Sequence, residues 1–216
     1  MTWRYLAVLA SACGSATPNT APPTASGPPY TALFDTKASW SLPLVGSSGQ
    51  GATASMREQA TLHCAIVTVS QVGDARVSRL KCDKPYDDLL INGTWVGEPA
   101  GLYHPPGPIT EPDDLATLSD DDLLLNAQPV ERQHSHALEA TQDSTEAFRF
   151  GAAWCVRETT VAGAEHRSFT LCLDATGIAG GSELVFAAAD NAWHRVLFGK
   201  VPADSDDPAK LVEDRD

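Results

Sequence analysis

Trp154-Cys155-Val156-Arg157-Glu158-Thr159-Thr160-Val161-Ala162-Gly163-Ala164-Glu165-His166-Arg167-Ser168-Phe169-Thr170-Leu171-Cys172-Leu173 is the stretch that decides the fold class. Two arms rich in β-branched and aromatic residues flank a Gly-X pair, which reads as a hairpin closed by a two-residue turn of the II′ kind. Counting outward from Ala162 and Glu165, the closing pair, sets Cys155 directly opposite Cys172. The cysteines fall at a non-hydrogen-bonded position, where facing α-carbons stand about 4.5 Å apart and a disulfide can close. Alternation divides the faces. Trp154, Val156, Phe169, Leu171 and Leu173 make a core face; Cys155, Arg157, Thr159, Ser168 and Thr170 make a wetter one that carries the disulfide. Closing a loop of this length stabilises the fold by about 3 kcal/mol at best, which is a stability role.

Leu62 to Gln71, then Val72-Gly73-Asp74, then Ala75 to Cys82 repeat the plan, with Cys64 and Cys82 centred on Gly73. A three-residue loop opposes this pair directly. A Gly73-Asp74 two-residue turn leaves it one place out of register unless a bulge intervenes. The shared plan points to an internal duplication about ninety residues apart, with convergent hairpins as the alternative. Leu89-Leu90-Ile91-Asn92-Gly93-Thr94-Trp95-Val96 carries an Asn-Gly turn between apolar runs, a further hairpin signal. Glu183 to Ala188 and Ala192 to Phe198 supply more strands. The expected fold is mainly β: an antiparallel sandwich or curved half-barrel of about seven to nine strands, with a short helix in the middle insertion.

The run from Phe148 to Phe186, a cysteine-bracketed hairpin followed by Asp174-Ala175-Thr176-Gly177, resembles segments of bacterial envelope lipoproteins of the LolA and LppX type. The resemblance implies a curved antiparallel sheet sheltering acyl chains beside helices. It carries over no functional residue.

The first residues give an address. Arg4 precedes a small apolar run, Tyr5 to Ala12, of the length of a signal-peptide core and too short to span a bilayer. Ala10-Ser11-Ala12 is an A-x-A cleavage signature, and Leu9-Ala10-Ser11-Ala12-Cys13 resembles a lipobox with its large aliphatic one place early. Residues 1–12 are therefore expected to be a signal peptide and Cys13 a lipidation site; an unlipidated Cys13 would leave a secreted protein. From Gly14 to Thr31 the composition turns to Ser, Thr, Pro, Gly, Ala and Asn, so residues 13–35 are expected to be the anchor cysteine and a flexible tether. A single domain over 36–203 and an acidic tail over 204–216 complete the expected organisation. Four cysteines in two evenly spaced pairs fit an oxidising compartment, the bacterial cell envelope. Twenty-eight acidic against fifteen basic residues give a formal net charge of -13, which disfavours nucleic acid and anionic head groups as partners. The expected partners are the membrane, reached through the N-terminal lipid, and an envelope protein, a glycan or an apolar ligand.

Candidate chemistry is sparse. Glu111-Pro112-Asp113-Asp114 and Ser119-Asp120-Asp121-Asp122 gather six carboxylates attractive to calcium, but without EF-hand spacing. Ser119 is expected instead to cap a short helix whose far side buries Leu123 to Leu125. His134 and His136 share one side of an extended strand and are the candidate metal ligands of an exported metal-dependent enzyme, with no third ligand identifiable. Gly46-Ser47-Ser48-Gly49-Gln50-Gly51 misses the nucleophile-elbow spacing and lacks the βαβ surroundings of a dinucleotide loop, so a flexible loop is expected there. No catalytic residue and no cofactor is assigned. The expected function is that of a non-enzymatic envelope lipoprotein, with a lipid-carrying half-barrel as the alternative.

Overall fold

The hairpin that opens the sequence reading forms as counted. A computed structural model of the protein describes residues 28–202, apart from 52, 84–88, 106, 120–121, 139–140 and 188. Among the described residues twelve strands form one antiparallel sheet, which corrects the expected seven to nine and removes the sandwich. In chain order they are β1 (Ser39–Gln50), β2 (Thr53–Val72), β3 (Ala75–Cys82), β4 (Gly93–Gly97), β5 (Gly101–Tyr103), β6 (Leu123–Asn126), β7 (Arg132–Leu138), β8 (Thr141–Phe150), β9 (Ala153–Ala162), β10 (Glu165–Asp174), β11 (Gly177–Ala187) and β12 (Ala192–Gly199). A 3-10 helix, Thr31–Phe34, precedes them, and one short α-helix, α1 (Pro112–Leu115), lies between β5 and β6.

The strand order is β6-β5-β4-β3-β2-β1-β12-β11-β10-β9-β8-β7. Each strand pairs with its chain neighbours, with two exceptions: β1 and β12 pair in the middle of the sheet, and β6 and β7 are its two edges. Twelve strands laid flat would span roughly 50 Å at 4.8 Å per gap. The linker 127–131 between the edges reaches only about 20 Å even when extended. The sheet therefore has to curl until its edges meet. Arg132, the first residue of β7, marks the seam: its guanidinium donates to the carbonyls of Leu123 at 2.6 Å and Leu124 at 3.4 Å on β6.

Alternation fills the inside of the curl. Leu44, Leu62, Leu80, Trp95, Leu125, Val156, Phe169, Leu171 and Phe198 come from strands all round the sheet and share one buried cluster. Two non-sheet segments complete it. Tyr30, Leu33 and Phe34 of the 3-10 helix are buried there, and the helix touches β2 and β3 on one side and β11 on the other. Leu89 and Ile91 join from the β3–β4 connection, and the Leu90 N–H donates to Glu183 Oε2 at 3.2 Å. The packed region thus begins at Tyr30, inside the stretch whose composition reads as tether. Gly177 is required by this packing: at φ +105°, a Cβ there would lie 2.5 Å from the Trp40 ring, whose indole N–H donates to the Thr176 carbonyl at 3.0 Å.

A smaller cluster packs outside the sheet. Val72, Ala75, Val77, Val96, Tyr103 and Ile109 meet Leu115 and Leu118 from the segment that carries α1.

Both disulfides form. Cys155 faces Cys172 with α-carbons 4.0 Å apart, and Cys64 faces Cys82 at 3.9 Å. The second pair uses the Gly73-Asp74 two-residue turn and a bulge between Ile66 and Thr68, which restores the lost register. Four local expectations are corrected. The Cys155–Cys172 face is not wet: both cysteines, Ser168 and Thr170 are buried, and Phe148 and Ala179 pack against the disulfide. Asn92-Gly93 does not turn a hairpin, because Leu89 and Ile91 enter the core while β4 pairs with β3. Residues 46–50 belong to β1 and pair on both sides, so they are no flexible loop. The insertion's α-helix follows an N-cap at Glu111, through a capping box in which Asp114 answers Glu111; Ser119 instead exchanges hydrogen bonds with Asp122, and Leu123 to Leu125 belong to a strand rather than to a helix face.

Leu33→Ala tests whether this segment is structural. It should lower stability by about 3 kcal/mol in urea unfolding, the usual penalty for emptying a buried leucine site; a tether residue would show no change.

Candidate functional site

Three strands converge on a cleft of ≈ 580 Å³. β1 contributes Ser39, Trp40 and Ser41; β2 contributes His63, Cys64, Ala65 and Val67; the end of β3 contributes Lys81 and Cys82, followed by Asp83. Register explains the grouping, since Trp40 stands opposite Cys64, Ser41 opposite His63 and Cys64 opposite Cys82. Ser41 Oγ and His63 Nδ1 lie 2.9 Å apart and share a hydrogen bond. Asp83 turns to the backbone instead: its Oδ1 accepts from the His63 main-chain N–H at 3.2 Å, and its own N–H donates to the His63 carbonyl at 3.0 Å. A hydrolytic triad needs the carboxylate on the imidazole ring. Here it clamps the strand, and hydroxyl, imidazole and ammonium groups line the cleft above a buried disulfide.

A second opening of ≈ 670 Å³ lies beside the 3-10 helix, lined by Thr31, Phe34, Asp35, Val69 and Arg76. The Arg76 guanidinium stacks 5.3 Å from the Phe34 ring centre and donates to the Phe34 carbonyl.

The seam gathers charge. Glu158 has the inward parity of Trp154 and Val156 and faces Thr145 and Phe169 on its neighbours. Burial pushes its carboxyl up to about 7, and the charges of Asp122 and Asp143 add to the rise. In the opposite sense, burial pushes His104 down to about 4, tempered by its hydrogen bond with the Asn92 backbone. Its ring stacks on Trp95 with centres 4.2 Å apart.

The residues singled out in the sequence fare differently. Cys64, Cys82, Cys155 and Cys172 are joined as pairs. Cys13 lies outside the described residues, as does the 204–216 tail. His134 and His136 lie on the edge strand β7, opposite Thr145 and Asp143, and His134 is exposed. Among the described residues no three His, Cys, Asp or Glu side chains are placed to hold a metal ion. Of the acidic run, Asp114 accepts from Thr110 and Glu111 N–H groups, which hold its carboxyl low. Asp122 accepts from the Ser119 N–H and hydroxyl, each at 2.9 Å. The cleft pair Ser41 and His63 was not read from the sequence, since nothing local joins residues on different strands. Glu158 did leave a signal there, as a carboxylate on a core parity.

No family model matches this sequence, and no curated protein is similar enough to count as a relative. Among solved structures, the chain is similar to a LolA superfamily protein from Nitrosomonas europaea at 5% identity, covering 78% of this chain and 87% of that one. The TM-score is 0.20, a superposition too loose to bear on fold or function.

The two shifted groups oppose each other in pH. Glu158, raised, contributes stability that is present below its ordinary 4.5 and lost as pH rises through about 7. His104, lowered, contributes stability that is present above its ordinary 6.5 and lost as pH falls through about 4. Glu158→Gln should therefore gain stability relative to the parent protein between pH 5 and pH 8, by on the order of 2 kcal/mol. His104→Phe should flatten the loss between pH 7 and pH 5. Urea midpoints across this range check both, and parallel profiles for parent and variants would contradict them.

Proposed function

We propose that this chain is a non-enzymatic binding module of the bacterial cell envelope, anchored by a lipid on Cys13. The observation that carries the reading is the pair of closed cross-strand disulfides, which a reducing cytosol would not sustain. The excess of acid over base fits a surface that does not seek phosphate or anionic lipid. Three carboxylates near these features make local structural contacts: Asp83 holds β2, Asp114 caps α1 and Asp122 binds Ser119. Ligands of this module are an envelope protein, a glycan or an apolar molecule, and the rim cleft at Ser41 and His63 offers polar groups for the first two.

Acyl-chain carriage is the second reading, favoured by one observation: the inner face of the curled sheet is continuously apolar, from Leu44 through Leu62 and Trp95 to Leu171 and Phe198. In that reading a ligand takes the place that Tyr30, Leu33 and Phe34 fill.

Protein recovered from a bacterial envelope should show cleavage before Cys13 and a diacylglycerol-sized mass increment on that residue. Its unreduced mass should fall short of the reduced mass by the hydrogens of two disulfides. An uncleaved, fully reduced chain overturns the envelope reading. Extraction with organic solvent then separates the two ligand classes: co-purifying acyl lipid supports carriage, and its absence supports surface binding.

A further inference from the structure

The two disulfides have the same cross-strand geometry, with α-carbons 3.9 and 4.0 Å apart, so backbone spacing does not distinguish them. Their surroundings do. Cys155 and Cys172 pack with Ala153 beneath Phe148 and Ala179. Cys64 and Cys82 are also buried, at 3% and 1% exposed, and belong to the interior cluster, but both line the ≈ 580 Å³ cleft. His63 and Lys81, their neighbours along the strands, line the same cleft.

We propose that Cys64–Cys82 is a thiol–disulfide exchange site, opened by an external dithiol that enters the cleft between β1, β2 and β3, while Cys155–Cys172 stays closed. The thiolate of the dithiol attacks one of the two sulfurs, forming a mixed disulfide and breaking the Cys64–Cys82 bond. The electron pair leaves on the other cysteine, which takes a proton. The second thiol of the dithiol then attacks its own sulfur in the mixed disulfide and releases the remaining cysteine as thiolate, which is protonated in turn. Two electrons and two protons pass to the protein, and the dithiol becomes a disulfide.

Opening this bond has a structural consequence that opening the other lacks. The bulge at Ile66/Thr68 interrupts the β2–β3 ladder, so beyond it only Ile66↔Leu80, Ala65↔Lys81 and the cysteine pair remain. Just past Cys82 the chain is tied by Asp83 to His63, and the Cys82 N–H donates to Asn92 Oδ1 at 2.5 Å. The disulfide thus anchors the chain from which Leu89 and Ile91 enter the interior. Reduction would loosen that anchor.

The test is a timed reduction of the full oxidised chain with dithiothreitol in native buffer, quenched with N-ethylmaleimide and read by peptide mass spectrometry. Cys64 and Cys82 should be labelled at least tenfold faster than Cys155 and Cys172. Equal rates, or the reverse order, overturn the proposal. Val67, 52% exposed at the cleft, allows a second measurement: Val67→Trp, which fills the entrance, should slow labelling of Cys64 and Cys82 severalfold and leave the other pair unchanged. An unchanged rate means that exchange runs through local unfolding and overturns the cleft route. Should that variant fail to fold, Val67→Phe serves in its place, with a severalfold slowing expected and no slowing counting against the proposal. The outcome is independent of the lipid on Cys13, so it can fail while the envelope reading stands.

Discussion

The short link between β6 and β7 is the constraint on which the rest of the structure depends. A meander can lie flat as long as its edges are free to part. Here residues 127–131 join the edges, and Arg132 closes the seam with hydrogen bonds to two β6 carbonyls. The curl that follows leaves more room than strand side chains alone fill, since barrels of more than about eight strands open a lumen. Tyr30, Leu33 and Phe34 on one side and Leu89 and Ile91 on the other occupy it. The chain spends its first described helix and the β3–β4 connection on this filling, and the longer β5–β6 connection with α1 on covering the outside.

Within the curl, the disulfides divide the labour by face. Cys64–Cys82 points into the interior cluster and Cys155–Cys172 out of it. Two copies of one ancestral hairpin would keep their cysteines on the same face. They would also share a turn-to-cysteine count, whereas the first hairpin needs a bulge that the second lacks. Trp95 likewise looks inward and Trp193 belongs to a separate outer cluster. The likeness of the two sequence stretches is therefore better explained by convergence on the same stapled hairpin than by duplication.

What could be read in advance was what local chemistry dictates. Cys155 and Cys172 face each other because the Gly163 turn leaves no other register, and Gly163 has the positive φ, +58°, that such a turn demands. The inward set Val156, Phe169, Leu171 and Leu173 followed from alternation alone. Strand number was not legible, because β1 and β2 run through Gly46-Ser47-Ser48-Gly49 and Thr53 to Gln59, where polar residues on both faces erase the period-two signal. Asn92-Gly93 misled for a different reason. The Asn92 side chain is committed to Cys82 and Leu89, so the dipeptide ends an interior segment instead of turning a hairpin. The pairing of Ser41 with His63 and the approach of Asp122 to Glu158 depend on contacts across strands or across the seam, and no window of sequence contains both partners.

A filled interior also bears on what the molecule can bind, and magnitudes decide the matter. Removing Tyr30, Leu33 and Phe34 from the curl gives up the burial of three large side chains, about 5–9 kcal/mol. A small apolar ligand recovers too little of that to compete. A saturated chain of about sixteen carbons recovers on the order of 13 kcal/mol at about 0.8 per methylene, more than the displaced side chains alone. In the acyl-carriage reading, the packed 3-10 helix would select against short interior ligands. Shorter or more polar partners are left with the rim, where Ser41, His63 and Lys81 stand at the mouth of the cleft.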